Sequence, residues 1–324
     1  PPIPGLELPN VVTSDDLLNG EEFLQGKLYQ NLIIIGGGVI SMEFASFYSA
    51  IGCQVTVVEA MDRILPTMDR ELSQNLAMIL KKRGVTIHTG AMVKEISQGE
   101  EGLCCSFTVK EESKQAWGDG ILVAIGRRPN TKGLLQEGFT LEMERGRIIV
   151  NEQFQTSIPS IYAIGDVSSK VQLAHVASAQ GICAVEQMAG QTPSICLDAI
   201  PGCIYTDPEI ASVGITEDQA KAQGIPVKKG KFLMGGNAKS LIENQERGFI
   251  KVLFHAETGK LLGAQMMCAR ATDMIGELST AVVNGLTQHQ LAAVIRPHPT
   301  FVEGITEAAE DAQGRAIHMA PRRR

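Results

Sequence analysis

The stretch LIIIGGGVISMEF, Leu32–Phe44, decides how the chain is read. Four apolar residues run into three glycines, and a helical apolar pattern follows, which spells a buried strand, a tight turn and a helix. Gly36, Gly38 and Ser41 occupy the three positions of a G-x-G-x-x-G turn. Gly36 permits the sharp turn, and Gly38 lets a pyrophosphate approach the backbone, where amides at the helix N-terminus hold it. Ser41 stands where glycine or alanine is usual, so it bears on helix-strand packing more than on phosphate binding. The next apolar run, CQVTVVEA, ends with Glu59, about 20 residues after Gly38, where a carboxylate accepts hydrogen bonds from the adenosine ribose and repels a 2′-phosphate. NAD(H) is expected over NADP(H), with Arg63 nearby keeping NADP as the minor alternative. A glycine turn without a ligand is the plain alternative to both.

Working outward, Asp69–Arg83 reads as a helix and VTIHTG, Val85–Gly90, as a strand. This alternation of β and α elements argues for a parallel sheet. Residues 91–117 then spell short antiparallel strands, leading to the apolar strand ILVAIG, Ile121–Gly126. A second segment, 127–193, holds GRIIV, SIYAIGDV and a helical run from Leu173 to Ala189. From about Ile200, β-rich pieces (KGKFLM, GFIKVLF, KLLGAQMM) mix with helices, as in a separate α+β unit. No repeat or low-complexity tract is visible.

The bulk numbers are those of an ordinary globular protein: 324 residues, 44% hydrophobic, 20% charged. That length suits two or three domains. A net charge of -7 argues against a general nucleic-acid surface. No apolar run reaches the length of a membrane span and Pro1 opens no signal-peptide pattern, so no membrane association and a cytoplasmic location are expected. The terminal PRRR reads as a solvated basic tail. Seven cysteines lack metal-ligand spacing, so no metal is expected and reduced thiols are the default. The vicinal pair Cys104-Cys105 fits an apolar strand with side chains on opposite faces better than a redox or metal site.

TSIPSIYAIGDV, Thr156–Val167, places an apolar strand before Gly165 and Asp166, a weak signal alone. Together with PPIPGLELPNVVTSDDLL, IIIGGGVISMEF, VVEAMDRILPTMD, VAIGRRPNT, LAHVASAQG, YTDPEIASVG and HPTFVEGITEA, it gives the chain an ordered resemblance to the flavin-dependent pyridine nucleotide-disulfide oxidoreductases, most closely the dihydrolipoamide dehydrogenases. The resemblance spans essentially the whole chain. It implies an α/β fold: residues 1–28 as the remnant of a flavin domain and linker, 29–126 as a Rossmann-like NAD-binding domain, 127–197 as the second part of a Rossmann-like FAD-binding domain, and 198–324 as an α+β dimerisation domain. Asp166, with Gly165, would bind the flavin ribityl chain, and Ala174 and His175 would lie near the isoalloxazine, His175 as a packing residue. Gly126 joins Gly36, Gly38, Ser41 and Glu59 at the NAD site. The family's first glycine-rich FAD motif and its C-x-x-x-x-C redox pair are absent from this sequence, so the chain is expected to be a fragment of a longer polypeptide.

Near the C-terminus, IRPHPTFVEGITEA, Ile295–Ala308, sets a histidine between two prolines, five positions before a glutamate. Pro299 would start a helix without wasting an amide, and Thr300 would sit in its first turn. By the resemblance, His298 faces a redox disulfide across a homodimer interface and takes the proton of a dithiol, while Glu303 fixes its tautomer. Arg296 occupies a position where many relatives carry another histidine. The implied reaction is oxidation of dihydrolipoyl groups on the lipoyl domains of 2-oxoacid dehydrogenase or glycine cleavage complexes, with electrons passing through a disulfide and FAD to NAD+. Three alternatives stay open: a glutathione- or mercuric-type reductase, a transhydrogenase or NADH oxidase, and, for these 324 residues alone, a non-catalytic NAD-binding dimerisation module.

Overall fold

A computed structural model of the chain describes residues 2–20, 28–245 and 247–319, so the basic tail lies outside the described residues. Two compact units are present, one formed by residues 1–126 with 201–324 and the other by 127–200.

The first unit begins with strand β1 (Val11–Thr13) and helix α1 (Ser14–Asn19), which Thr13 and Asp16 close with a reciprocal capping box. The nucleotide-binding pattern follows as β2 (Asn31–Ile35), α2 (Val39–Ala50), β3 (Gln54–Val58), α3 (Arg70–Lys82) and β4 (Thr86–His88). Helix α3 starts at Asp69, whose carboxylate accepts the Glu71 amide, and it ends in Lys81 and Lys82, which complement its dipole. Leu72, Leu76, Ile79 and Leu80 recur at helical spacing and form its buried stripe. Strands β5 (Ala91–Gly99), β6 (Gly102–Val109) and β7 (Glu112–Gly118) make an antiparallel sheet, and β8 (Gly120–Val123) returns to the first sheet. That sheet is wholly parallel in the order β1-β8-β2-β3-β4. Cys104 and Cys105 are both buried in β6, and burial pushes the Cys105 thiol up to about 12, so it is an inert core residue.

The second unit departs from the sequence pattern. GRIIV contributes only Arg147–Ile148 as β10, paired with β9 (Met143–Glu144). The expected apolar strand SIYAIGDV does not form among the described residues: Tyr162 makes one isolated bridge to Gln155, and Gly165–Val167 is a single 3₁₀ turn. A strand of this kind extends only as far as neighbours accept its ladder, and the neighbouring residues 154–156 supply a single bridge. Helix α4 (Ala174–Met188) matches the helical reading from Leu173 to Ala189.

The first unit resumes with β11 (Gly202–Ile204), β12 (Ile210–Gly214), α5 (Glu217–Ala222), β13 (Val227–Leu233), α6 (Ala238–Ile242), β14 (Phe249–His255), β15 (Leu261–Met267), α7 (Ala271–Val283), α8 (Gln288–Ala292) and α9 (Glu303–Asp311). The strands form an antiparallel sheet in the order β11-β12-β15-β14-β13. Helix α7 packs on β12 and β15, and α9 packs on β13 and β14. Gly230 makes the second contact possible, because a Cβ there would lie 1.8 Å from the Ala308 carbonyl oxygen. The two segments of this unit share a core in which Leu72 and Leu76 cluster with Ile204, Phe249 and Met267. Beside it Lys251, only 2% exposed, lies 2.7 Å from Asp69 and 3.3 Å from Glu71, and Lys231 also pairs with Glu71. Burial alone would raise the Glu71 carboxyl, but the two ammonium groups hold it below the usual carboxylate range.

Candidate functional site

The glycine turn opens one wall of a cleft of about 530 Å³. Gly36, at φ +109, cannot carry a side chain, since a Cβ would meet the Ala124 carbonyl oxygen at 2.5 Å. Gly38 is the N-cap of α2 without a side-chain cap, and a Cβ there would meet nothing within 4 Å. The start of α2 therefore presents backbone to open space, the arrangement that receives a phosphate. Gly126, at φ +134, also lines the cleft.

Glu59 lines the cleft and is buried. Its Oε2 accepts the Gly37 amide and its Oε1 accepts the Met61 amide at 2.6 Å. An ionised carboxylate has about four acceptor positions, so these two bonds fix its orientation and leave capacity for ligand hydroxyls. Gly37 is the residue that sequence reasoning passed over: a Cβ at this position would lie 2.8 Å from Glu59 Cγ, so the middle glycine seats the carboxylate. Ser41 does not line the cleft. It is fully buried behind it, donating its hydroxyl to the Ala124 carbonyl at 3.3 Å, which accommodates the serine at the packing position. Arg63 is also absent from the cleft lining; its guanidinium donates to the Pro66 carbonyl at 2.8 Å.

His298 and Glu303 come together at a separate cavity of about 300 Å³. His298 Nδ1 lies 2.9 Å from Glu303 Oε1, and Glu303 Oε2 accepts the Thr300 amide at 2.8 Å. Burial would raise the Glu303 carboxyl, but the Thr300 amide and the neighbouring His298 hold it below the ordinary range. Pro299 does not open the helix: it follows His298 through a cis peptide, and α9 begins only at Glu303, with Val302 at its cap. The intervening turn is held by Thr300 Oγ1 on the Pro297 carbonyl and by Asn237 Nδ2 on the Thr300 carbonyl. Glu303 thus closes the turn as well as the imidazole pair, much as an N-terminal capping carboxylate does.

Arg296 is a buried brace. It pairs with Glu277 of α7 and donates to Thr306 Oγ1 of α9 at 2.5 Å, with its side chain 3% exposed. The planar fork of a guanidinium reaches two helices at once. Nothing in the local spacing announces this, because Glu277 lies 19 residues away.

In the second unit the turn at Gly165 packs against the first turns of α4, a Cβ on Gly165 meeting the Ala177 methyl carbon at 2.8 Å. Gly165 donates its amide to Gln180 Oε1 at 2.8 Å. Asp166 is half-buried in this turn, and Ala174 and His175 are exposed at the start of α4. The four residues expected near a flavin therefore belong to one turn and the helix packed on it. Among the described residues no cluster of three or more His, Cys, Asp or Glu side chains could hold a metal, and no helix is long and apolar enough to cross a membrane.

A parallel sheet with a glycine turn into a helix, followed by an antiparallel α+β sheet bearing a histidine-glutamate pair, defines a nucleotide-dependent oxidoreductase architecture. Residues 1–181 match the pyridine nucleotide-disulphide oxidoreductase family and residues 200–309 match its dimerisation domain. The chain belongs to this family. It is 43% identical to a dihydrolipoyl dehydrogenase of Bacillus subtilis over 98% of its length and 67% of the relative's, and 39% identical to that of Geobacillus stearothermophilus over 97% and 67%. Among solved structures it resembles LpdA of Mycobacterium tuberculosis, with a TM-score of 0.83 and 29% identity, covering 93% of this chain and 64% of that one. It also resembles the HOCl-induced flavoprotein disulfide reductase RclA of Escherichia coli, with a TM-score of 0.86 and 30% identity, covering 96% and 70%. The chain spans about two thirds of the length of the curated relatives it matches.

Proposed function

We propose that this chain serves a dihydrolipoyl dehydrogenase, which oxidises protein-bound dihydrolipoamide with NAD+ to give the cyclic disulfide, NADH and a proton. The observation that carries the reading is the His298 Nδ1 contact with Glu303 at 2.9 Å in a chain that also holds the dinucleotide cleft. With Nδ1 committed to the carboxylate, Nε2 is the ring nitrogen available to take a thiol proton, and Glu303 stabilises the imidazolium that results. The side chain of His298 is 68% exposed, as access for a lipoyl group tethered to another domain requires.

At the other end, Gly36, Gly38 and Gly126 shape the cleft for the pyrophosphate and nicotinamide arm, and Ser41 supports the turn from behind. Glu59 selects NAD(H), since its buried carboxylate would repel a 2′-phosphate, while the Arg63 guanidinium is engaged by the Pro66 carbonyl and does not line the cleft. Asp166 with Gly165 would hold the ribityl chain of FAD, with Ala174 and His175 beside its ring; the reading is supported by their place in one turn and the start of the helix packed on it, with Asp166 half-buried and Ala174 and His175 exposed. When bound, the flavin carries electrons between the thiol chemistry and the nicotinamide. Lipoyl domains of 2-oxoacid dehydrogenase or glycine cleavage complexes supply the substrate, and residues 200–309 pair two copies into a homodimer. None of the seven cysteines has the spacing of the family's redox pair, so these 324 residues by themselves bind NADH without oxidising dithiols.

The test has two parts. Titrating the chain with NADH and NADPH should give saturable binding for the first and at least about tenfold weaker binding for the second. In an assembly that also supplies FAD and a redox-active cysteine pair, His298→Gln should remove most lipoamide turnover and leave NADH-to-flavin reduction intact. Loss of both activities together would contradict the role given to His298.

A further inference from the structure

The cavity that holds His298 and Glu303 contains a second imidazole-carboxylate couple. His318 and Glu307 both line it. Glu307 Oε2 accepts the backbone amides of Ile317 and His318 at 3.0 Å each, and Glu307 Oε1 lies 3.0 Å from His318 Nδ1. One carboxylate therefore clips the segment after α9 in three places. The segment is seated on its other side as well, because a Cβ on Gly236 would meet the His318 carbonyl oxygen at 2.8 Å. Glu303 and Glu307 are four residues apart on α9, about one turn or 6 Å of rise, so they present their carboxylates on one face.

We propose that His318, clipped to Glu307 in the same cavity, is a positioning residue for the His298-Glu303 pair, offsetting the negative charge that Glu307 places beside Glu303 and so keeping His298 oriented. The proposal rests on the functional reading of His298 given above. Its physical content is charge. Glu303 and Glu307 place two negative groups on adjacent turns, which repel each other unless a cation stands near them. Around this cavity α9 contributes Glu303 and Glu307, the preceding segment contributes Arg296 and His298, and the segment after α9 contributes His318. Arg296 is already committed to Glu277, and Arg315 beyond the helix is paired with Glu310. His318 is the imidazole that the segment after α9 sets against Glu307, beside Glu303. Its attraction is one of the influences that hold the Glu303 carboxyl low, after the Thr300 amide and His298.

A purely structural clip and an electrostatic one are separable. Carbon-13 NMR of the Glu303 carboxyl, followed against pH in this chain, reads the coupling without any need for turnover. His318→Gln removes the cation and should move the Glu303 titration midpoint up. Glu307→Gln removes the competing anion while keeping an acceptor for the two amides, and should move it down. Opposite displacements support the proposal; no displacement in either variant, displacement in only one, or displacement of both in the same direction overturns it. If His298→Gln leaves lipoamide turnover unchanged while the opposite displacements are seen, the functional reading fails and the coupling stands.

Discussion

Two stretches share a spelling and differ in outcome. Leu32–Gly36 and Ile161–Gly165 are both short apolar runs closed by a glycine at positive φ. The first is β2, paired on both sides by β3 and β8, with its four apolar residues at most 3% exposed. The second has one bridge, and Ile164 is 36% exposed. Composition proposes a strand, but the partners for its amides and carbonyls decide whether one exists. A glycine turn can nevertheless persist without the ladder, since Gly165 is held by Gln180 and by α4.

Substitution can break this comparison most sharply at the apolar positions. Ile34→Ala should cost about 2–5 kcal/mol of unfolding free energy, because a fully buried side chain leaves a cavity. Ile164→Ala should cost less than about 1 kcal/mol. Equal losses in urea denaturation would mean that the second stretch is as well partnered as the first. The closing glycines should differ next. Gly36→Ala drives a methyl group into a backbone carbonyl at an unfavourable φ, at a cost of about 1–3 kcal/mol. Gly165→Ala, at φ +66 and against a side-chain methyl, should cost about 1 kcal/mol. A larger loss at Gly165 in the same measurement would reverse the ranking.

The carboxylates beyond the two glycines sharpen the contrast through binding. Glu59→Gln should weaken NADH about fivefold to tenfold by fluorescence titration, roughly the difference between charge-assisted and neutral hydrogen bonds. Asp166→Asn should leave NADH affinity unchanged. If both lower it alike, the two turns do not serve different ligands. The smallest effect belongs to Glu303, a carboxylate outside both stretches whose folded value is lowered by the Thr300 amide and His298 against the opposing effect of burial. Its stabilisation is fully present above the ordinary glutamate range and is lost as pH falls through the lowered folded value. Glu303→Gln should therefore be less stable than the parent at neutral pH, with the gap closing in acid. A gap that persists at the lowest pH would point to geometry instead of charge.

What the sequence disclosed was local. The run from Leu32 to Glu59 could be read because the strand, the turn, the helix and the second strand lie in order, and each carries its own pattern. Asp69 and Arg83 marked the bounds of α3 for the same reason. The spacing of His298 and Glu303 brought the pair to notice, but placed the helix start at Pro299, because a proline signals an N-terminus and says nothing of the Thr300 amide bonded to Glu303. Bonds between distant positions were silent. Arg296 and Glu277, Glu307 and His318, and Lys251 and Asp69 are separated by 19, 11 and 182 residues respectively. No periodicity links such partners, and each side chain alone reads as ordinary surface charge.

The last of those pairs bears on how far the chain can be taken apart. The linear order suggests a clean cut after Gly126, yet a piece ending there would keep Asp69 and Glu71 and discard Lys231 and Lys251. It would also uncover the apolar side of α3 that rests against Phe249 and Met267. Fully burying one large apolar side chain contributes about 1.5–3 kcal/mol, so uncovering several removes a large share of the stability of an isolated domain, and the two carboxylates lose their ammonium partners as well. The segment ending at Gly126 is therefore separable in pattern but not in energy, and a useful minimal piece of this protein must carry both strands that bear the lysines.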